Sequence, residues 1–143
     1  MTYIDNQIWY TSGYKYQLSR DYTTYTNIHP KKKIETDFIS LTTDGCLTIK
    51  KGYAWDGPSG PTVDDDTNIR GSVAHDAKYQ LMRLQLIPQS YRKLSDQEMK
   101  NDLEEDGMKW LRRELWYWGL RIGGSSSASP KSIRIVRVSP ERE

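Results

Sequence analysis

The hydrophobic period changes once along this chain, and that change constrains the fold more than any other feature. Residues 3–54 alternate and are rich in Tyr, Thr and Ile. Ile8-Trp9-Tyr10 and residues 14–18, 34–41 and 46–49 each read as a strand, because β-branched and aromatic side chains suit a pleated, half-buried surface. Thr43-Asp44-Gly45, between the last two, is a hairpin signal, since Asp-Gly readily takes positive φ. After Pro61 the apolar residues recur three and four apart. Asp64-Asp65-Asp66-Thr67-Asn68 supplies cap residues, and residues 69–86 read as one helix with Val73, Ala77, Leu81 and Leu84 on its inward stripe. Ile87-Pro88 ends that helix, because a residue before proline avoids the helical region.

A second helix begins at Ser95-Asp96-Gln97-Glu98, which fits a capping box with Ser95 as N-cap and Glu98 at N3. Met99, Leu103, Gly107, Trp110 and Leu111 form its expected inward face, and Leu115, Trp116 and Trp118 continue it to Gly119 or Gly123. Residues 123–130, Gly-Gly-Ser-Ser-Ser-Ala-Ser-Pro, read as a flexible linker. Residues 133–138 alternate as a strand that such a tether would deliver to a sheet edge, either that of the N-terminal meander or, in preference, that of a neighbouring subunit. The expected class is therefore α+β: an N-terminal antiparallel β-meander packed with a two-helix hairpin, then a flexible linker and a C-terminal strand. Residues 1–122 form one domain (1–54 β-rich, 55–122 loop plus helical hairpin), and 123–143 form the linker and tail.

At 143 residues the chain has one-domain length, yet hydrophobic residues make up 36% of it. Ten Tyr and five Trp must then supply much of the core, with their polar tips on partners or water. Net charge is +2, from 21 basic and 19 acidic residues, which gives no electrostatic case for nucleic acid. Lys31-Lys32-Lys33 reads as a solvated turn. Cys46 is alone, so there is no disulfide framework. The sequence shows no apolar leader and no run of about 18 apolar residues, so synthesis in a cytoplasm is expected.

The chemistry-bearing residues straddle the change of period. Tyr53-Ala54-Trp55-Asp56-Gly57-Pro58-Ser59-Gly60-Pro61-Thr62 is a Gly/Pro-rich turn whose carbonyls are not consumed by helix or sheet. His75-Asp76-x-x-Tyr79 lies in the first helix. Calcium takes six to eight oxygens, often carbonyls with one or two carboxylates, and Asp56 and Asp76 can supply the latter. His75 can take a proton from an attacking water, provided a carboxylate orients its ring. Asp96 qualifies, because it lies within about 60° of the apolar face of the second helix, where an ionised carboxylate needs a donor. Asp102 is the second choice. The plainer readings stand beside these: His75-Asp76 as a surface pair, Asp96 as a first-turn acid, Asp56-Gly57 as a turn, Asp64-Asp65-Asp66 as an exposed run and Cys46 as a packed strand residue. Trp110, Trp116, Tyr117 and Trp118 with Arg112, Arg113 and Arg121 suit either a membrane or protein interface or an aromatic core with a basic solvent face.

The order of Gly-rich loop, His-Asp-x-x-Tyr and a second helix with Asp-x-x-Φ resembles the phospholipase A2 superfamily over residues 53–110. It is most similar to the prokaryotic and parvovirus-capsid branches. The resemblance implies His75 as base, Asp96 as its orienter, Asp76 as the calcium carboxylate and the loop from Trp55 through Gly57 to Gly60 as the calcium loop. It implies a calcium-dependent hydrolase acting at a phospholipid or membrane surface. The chain departs from the pattern in lacking the cysteine pairs and in reading Asp-Gly-Pro-Ser-Gly-Pro in the loop. It also looks like an uncharacterised domain family of bacteriophage and prophage genomes, which implies a virion- or tail-associated assembly protein as the alternative, with phage structural proteins or its own copies as partners.

Overall fold

The computed structural model describes residues 15–57 and 64–132, together with the backbone of Ile8–Tyr10 and Arg137–Ser139. Its strands are β1 (Ile8–Tyr10), β2 (Tyr16–Gln17), β3 (Tyr22–Tyr25), β4 (Ile34–Glu35), β5 (Ile39–Leu41), β6 (Cys46–Ile49) and β7 (Ala54–Trp55). Helices α1 (Ile69–Arg83), α2 (Arg92–Glu105), α3 (Trp110–Gly123) and α4 (Ser125–Ala128) follow, then β8 (Arg137–Ser139). The class is α+β, with antiparallel sheets in the first part and helices in the second.

The largest sheet runs β3-β6-β5-β4. Its β4–β5–β6 part is the expected meander, but residues 34–41 are two strands rather than one. The Thr36 hydroxyl donates to the Ile39 carbonyl and accepts from its N–H, both at 2.9 Å, so the chain folds back and Ile34 pairs with Leu41. A threonine that satisfies the backbone locally competes with a continuous ladder. Strand β3, which lies outside the expected strands, joins the far side of β6. Alternate residues Ile39, Leu41, Leu47 and Ile49 point inward and pack with Val73, Ala77 and Leu81 of α1.

The helix boundaries depart from expectation for identifiable reasons. Helix α1 stops at Arg83. Gln85 turns left-handed (φ 60°), Leu86 N–H donates to the Leu81 carbonyl at 2.9 Å, and Gln85 N–H to that of Met82 at 3.0 Å. This closing pattern satisfies the last carbonyls. It leaves Leu84 exposed, while Ile87 returns to the core. Helix α2 starts at Arg92, so the capping box does not form. Ser95 Oγ donates to the Tyr91 carbonyl at 2.9 Å, inside the helix. Glu98 accepts instead from the Thr26 hydroxyl (2.5 Å), Asn27 N–H (3.0 Å) and Lys78 (3.0 Å). One carboxylate thus ties the sheet to both α1 and α2.

Gly107 splits the expected second helix. At φ 97° it occupies a region most side chains avoid, and Met108 N–H reaches back to the Leu103 carbonyl at 2.8 Å. The hairpin is therefore extended by a separate α3. Met108, Trp116 and Leu120 join Met99 and Leu103 in a second core cluster, while Trp110 and Leu111 are exposed rather than inward.

The Gly/Ser segment is a packed element, not a flexible linker. Residues 125–128 are helical, Ala128 is fully buried, and its carbonyl accepts Gln89 Nε2 at 2.7 Å. The Ser127 carbonyl accepts Arg83 Nη1 at 2.8 Å. Composition signalled freedom, but side chains from α1 and from the turn before α2 hold these carbonyls in place. The C-terminal strand also finds its partner at home: β8 pairs antiparallel with β1 of the same chain, Trp9 opposite Val138. Among the described residues no helix is long and apolar enough to cross a membrane.

Candidate functional site

Helices α1 and α2 lie side by side and antiparallel, with Gly71 near Asp102 and Leu103 at one end and His75 against Asp96 further along. A Cβ added at Gly71 would stand 3.3 Å from that of Asp102, so the glycine permits this close approach. His75 and Asp96 then meet as expected, with Nε2 and Oδ1 2.8 Å apart. The Tyr79 hydroxyl, one turn on from His75, donates to the same Oδ1 at 2.5 Å, and its ring lies 4.1 Å from the imidazole. Arg121 Nη1 on α3 donates to Oδ2 at 2.9 Å, and Arg92 Nη1 stands 3.7 Å away.

Asp96 is completely buried, and His75 is 6% exposed. Burial alone would raise the Asp96 carboxyl, but hydrogen bonds from His75, Tyr79 and Arg121 outweigh it and hold the group below the usual carboxylate range. His75 is pushed the other way from a salt-bridged histidine. Desolvation lowers it, Asp96 opposes this, and Lys78 and Arg83 add to the lowering. Arg121 already answers the Asp96 charge, so a proton on His75 gains little there. The imidazole is neutral at pH 7. Burial and the bond to Asp96 raise Tyr79, keeping its phenol protonated as a donor.

A neutral imidazole with Nε2 fixed on a carboxylate presents Nδ1 as its free basic atom. Nδ1 has no hydrogen-bond partner among the described residues. Asp102 is not the orienter: it faces Arg70 at 3.6 Å, and burial raises its carboxyl.

The loop residues serve packing where they are described. Trp55 is buried in β7, its indole N–H donates to Ser72 Oγ on α1 at 3.0 Å, and its carbonyl accepts Lys15 N–H at 3.2 Å. Gly57 (φ 80°) lies so close to the Tyr16 ring that a Cβ would stand 2.7 Å from it. Asp56 is exposed and Asp76 half-buried. Gly60, with Pro58, Ser59 and Pro61, lies outside the described residues. Among the described residues no three His, Cys, Asp or Glu side chains converge as a metal cage.

The acidic run at the start of α1 is not simply solvated. Asp64 accepts from Lys15 and Tyr16, both at 2.5 Å, and Asp65 from Thr67 (2.8 Å) and Arg112 (2.7 Å). Lys31-Lys32-Lys33 is exposed, and His29 is an exposed loop residue whose Nδ1 lies 3.2 Å from the Thr43 carbonyl. Arg121 and Arg92 are the site residues that sequence reasoning missed. The sequence places Arg121 in a basic face, either solvated or at an interface, and no local pattern marks a pairing across 25 residues.

No family model, curated protein or solved structure matches this chain.

Proposed function

We propose that the protein is a hydrolase of acyl esters in which His75 is the general base and Asp96 and Tyr79 position it. The observation that carries this reading is the buried Nε2–Oδ1 contact of 2.8 Å, reinforced by the Tyr79 hydroxyl, on a histidine whose burial keeps it unprotonated. In the proposed step Nδ1 takes a proton from water as the water oxygen attacks the ester carbonyl. The tetrahedral intermediate then collapses, the alkoxide leaves, and His75 returns the proton to it. A positioned base of this kind contributes about 10²–10⁴-fold. The resemblance of residues 53–110 names phospholipid as the ester class and adds calcium, held by Asp76 and the loop, as part of the same proposal.

The test is fatty-acid release from phospholipid vesicles with calcium or with chelator. We expect release by the wild type, at least ~100-fold less from His75→Gln, and a comparable loss in Asp96→Asn, with circular dichroism showing both variants folded. Loss of rate under chelator, matched by calcium-binding heats that Asp76→Ala abolishes, would support the metal part. Equal rates for wild type and His75→Gln would remove His75 as base.

A second reading has its own support. Both Asp96 oxygens are committed, and the arginine on one of them binds α3 to α2, so the network can serve as a lock among three helices. The chain would then be a non-catalytic virion- or tail-associated assembly protein. Absence of release from every acyl ester, with the fold intact, favours this reading.

A further inference from the structure

Helix α3 is apolar on two opposite sides. Trp116, Tyr117 and Leu120 face the protein interior. Leu111 (63% exposed), Leu115 (68%), Trp118 (57%) and Ile122 (83%) lie on the other side, with Trp110 (64%) at the helix start. At 100° per residue those four span about 60° and are centred nearly opposite the buried face. Nothing within the described residues covers them. An amphipathic surface helix puts polar residues there. We propose that this stripe is a homodimer interface, with α3 packing against α3 of a second copy.

Four observations single out that occupant. The stripe is spaced 4, 3 and 4 residues apart, the narrow seam that one helix presents to another rather than the broad apolar face of a helix lying in lipid. The charges along α3 are already answered within the chain: Arg112 by Asp65 at 2.7 Å, Arg113 by Glu104 at 3.9 Å, Glu114 by Lys100, and Arg121 by Asp96 at 2.9 Å. An anionic surface would call for a free cationic rim, whereas an electrically neutral rim suits an identical surface. Gly119, beside the stripe, has no atom within 4 Å of an added Cβ. A mid-helix glycine is unfavourable relative to alanine and no intramolecular contact requires Gly119, but an approaching backbone would use the space. Finally, the four stripe side chains expose on the order of 600 Å², the upper limit of what a monomer ordinarily carries in one patch, and two copies approach the ~1,200 Å² at which stable dimers begin.

The inference does not depend on the proposed esterase activity, and its test is independent of it. Sedimentation equilibrium of the full chain, up to about 100 µM, should give a dimer with micromolar or tighter dissociation. Leu115→Glu and Ile122→Glu place a carboxylate in the seam, and each should weaken association by ~100-fold or more. Both positions point outward, so the unfolding midpoint of dilute protein should be unchanged, showing that the variants fold. Tyr25→Ser, at an exposed aromatic on β3, should still dimerise. A wild type that is monomeric at 100 µM overturns the proposal, as does a dimer unaffected by both glutamates. A monomer that instead co-sediments with phospholipid vesicles, and loses this with Leu115→Glu, would reassign the stripe to lipid and also overturn it.

Discussion

Asp96 shows how one residue can be legible while its setting is not. Its place on the apolar face of α2 demanded a donor, and the donor is His75. The demand could not say that Tyr79 and Arg121 would share the carboxylate, because α3 reaches it only after the chain breaks at Gly107. These partners fix the direction of the pH dependence. His75 has its folded pKa lowered, chiefly by burial, from an ordinary value of 6.5. Below 6.5 the unfolded chain takes up a proton that the folded chain refuses, so the contribution is present above that value and is lost as pH falls from there through the folded pKa. Asp96, held below 3.8, adds a second loss as pH falls beneath that value. The thermal midpoint should therefore be level above about pH 7, fall from roughly 6.5 downward, and fall again below about 4. His75→Gln should erase the first fall and leave the second. A wild-type midpoint that rises on acidification to pH 5.5 would mean that the buried imidazole welcomes its proton, contrary to this account.

At the scale of elements, existence was easier to read than boundaries. The alternation of Cys46–Ile49 and the stripe of Val73, Ala77 and Leu81 survive because each buries one continuous face. The ends moved wherever a distant group offered a better hydrogen bond than the local one, as Thr26 and Lys78 did for Glu98. Gly124 is the sharpest case, because its glycine- and serine-rich setting reads as linker and it is a tight junction. It connects α3 to α4 with ordinary φ, and a Cβ there would lie 2.7 Å from the Tyr79 hydroxyl and 2.5 Å from the Leu120 carbonyl. Gly124→Ala should force α3 away from Tyr79 and cost about 1–3 kcal/mol in urea unfolding, the usual range for overpacking. The same change placed in Tyr79→Phe should cost less, because one of the two clashing atoms is gone. If Gly124→Ala is neutral in both backgrounds, the junction is looser than its contacts imply.

For the whole molecule, the order of the chain says little about which ends matter. Composition marks residues 123–130 as a flexible linker, since glycine and serine lack apolar surface. It missed that Ala128 is fully buried, with Arg83 and Gln89 bonded to carbonyls of α4. The strand beyond it contributes differently. β8 pairs only with β1 among the described residues, as a two-stranded ribbon apart from the larger sheet, and such ribbons are marginal on their own. Two truncations separate these roles. Removing residues 133–143 should leave a cooperatively folded protein, because the main core cluster of β5, β6 and α1 is untouched. Removing residues 125–143 should cost several kcal/mol more, since it strips a buried side chain from the core and leaves both the Arg83 and Gln89 donors without their carbonyls. Unfolding in urea measured on the two proteins together decides it. Equal midpoints would show that α4 adds nothing beyond the strand, whereas loss of the fold in the shorter deletion would move β1 and β8 into the core.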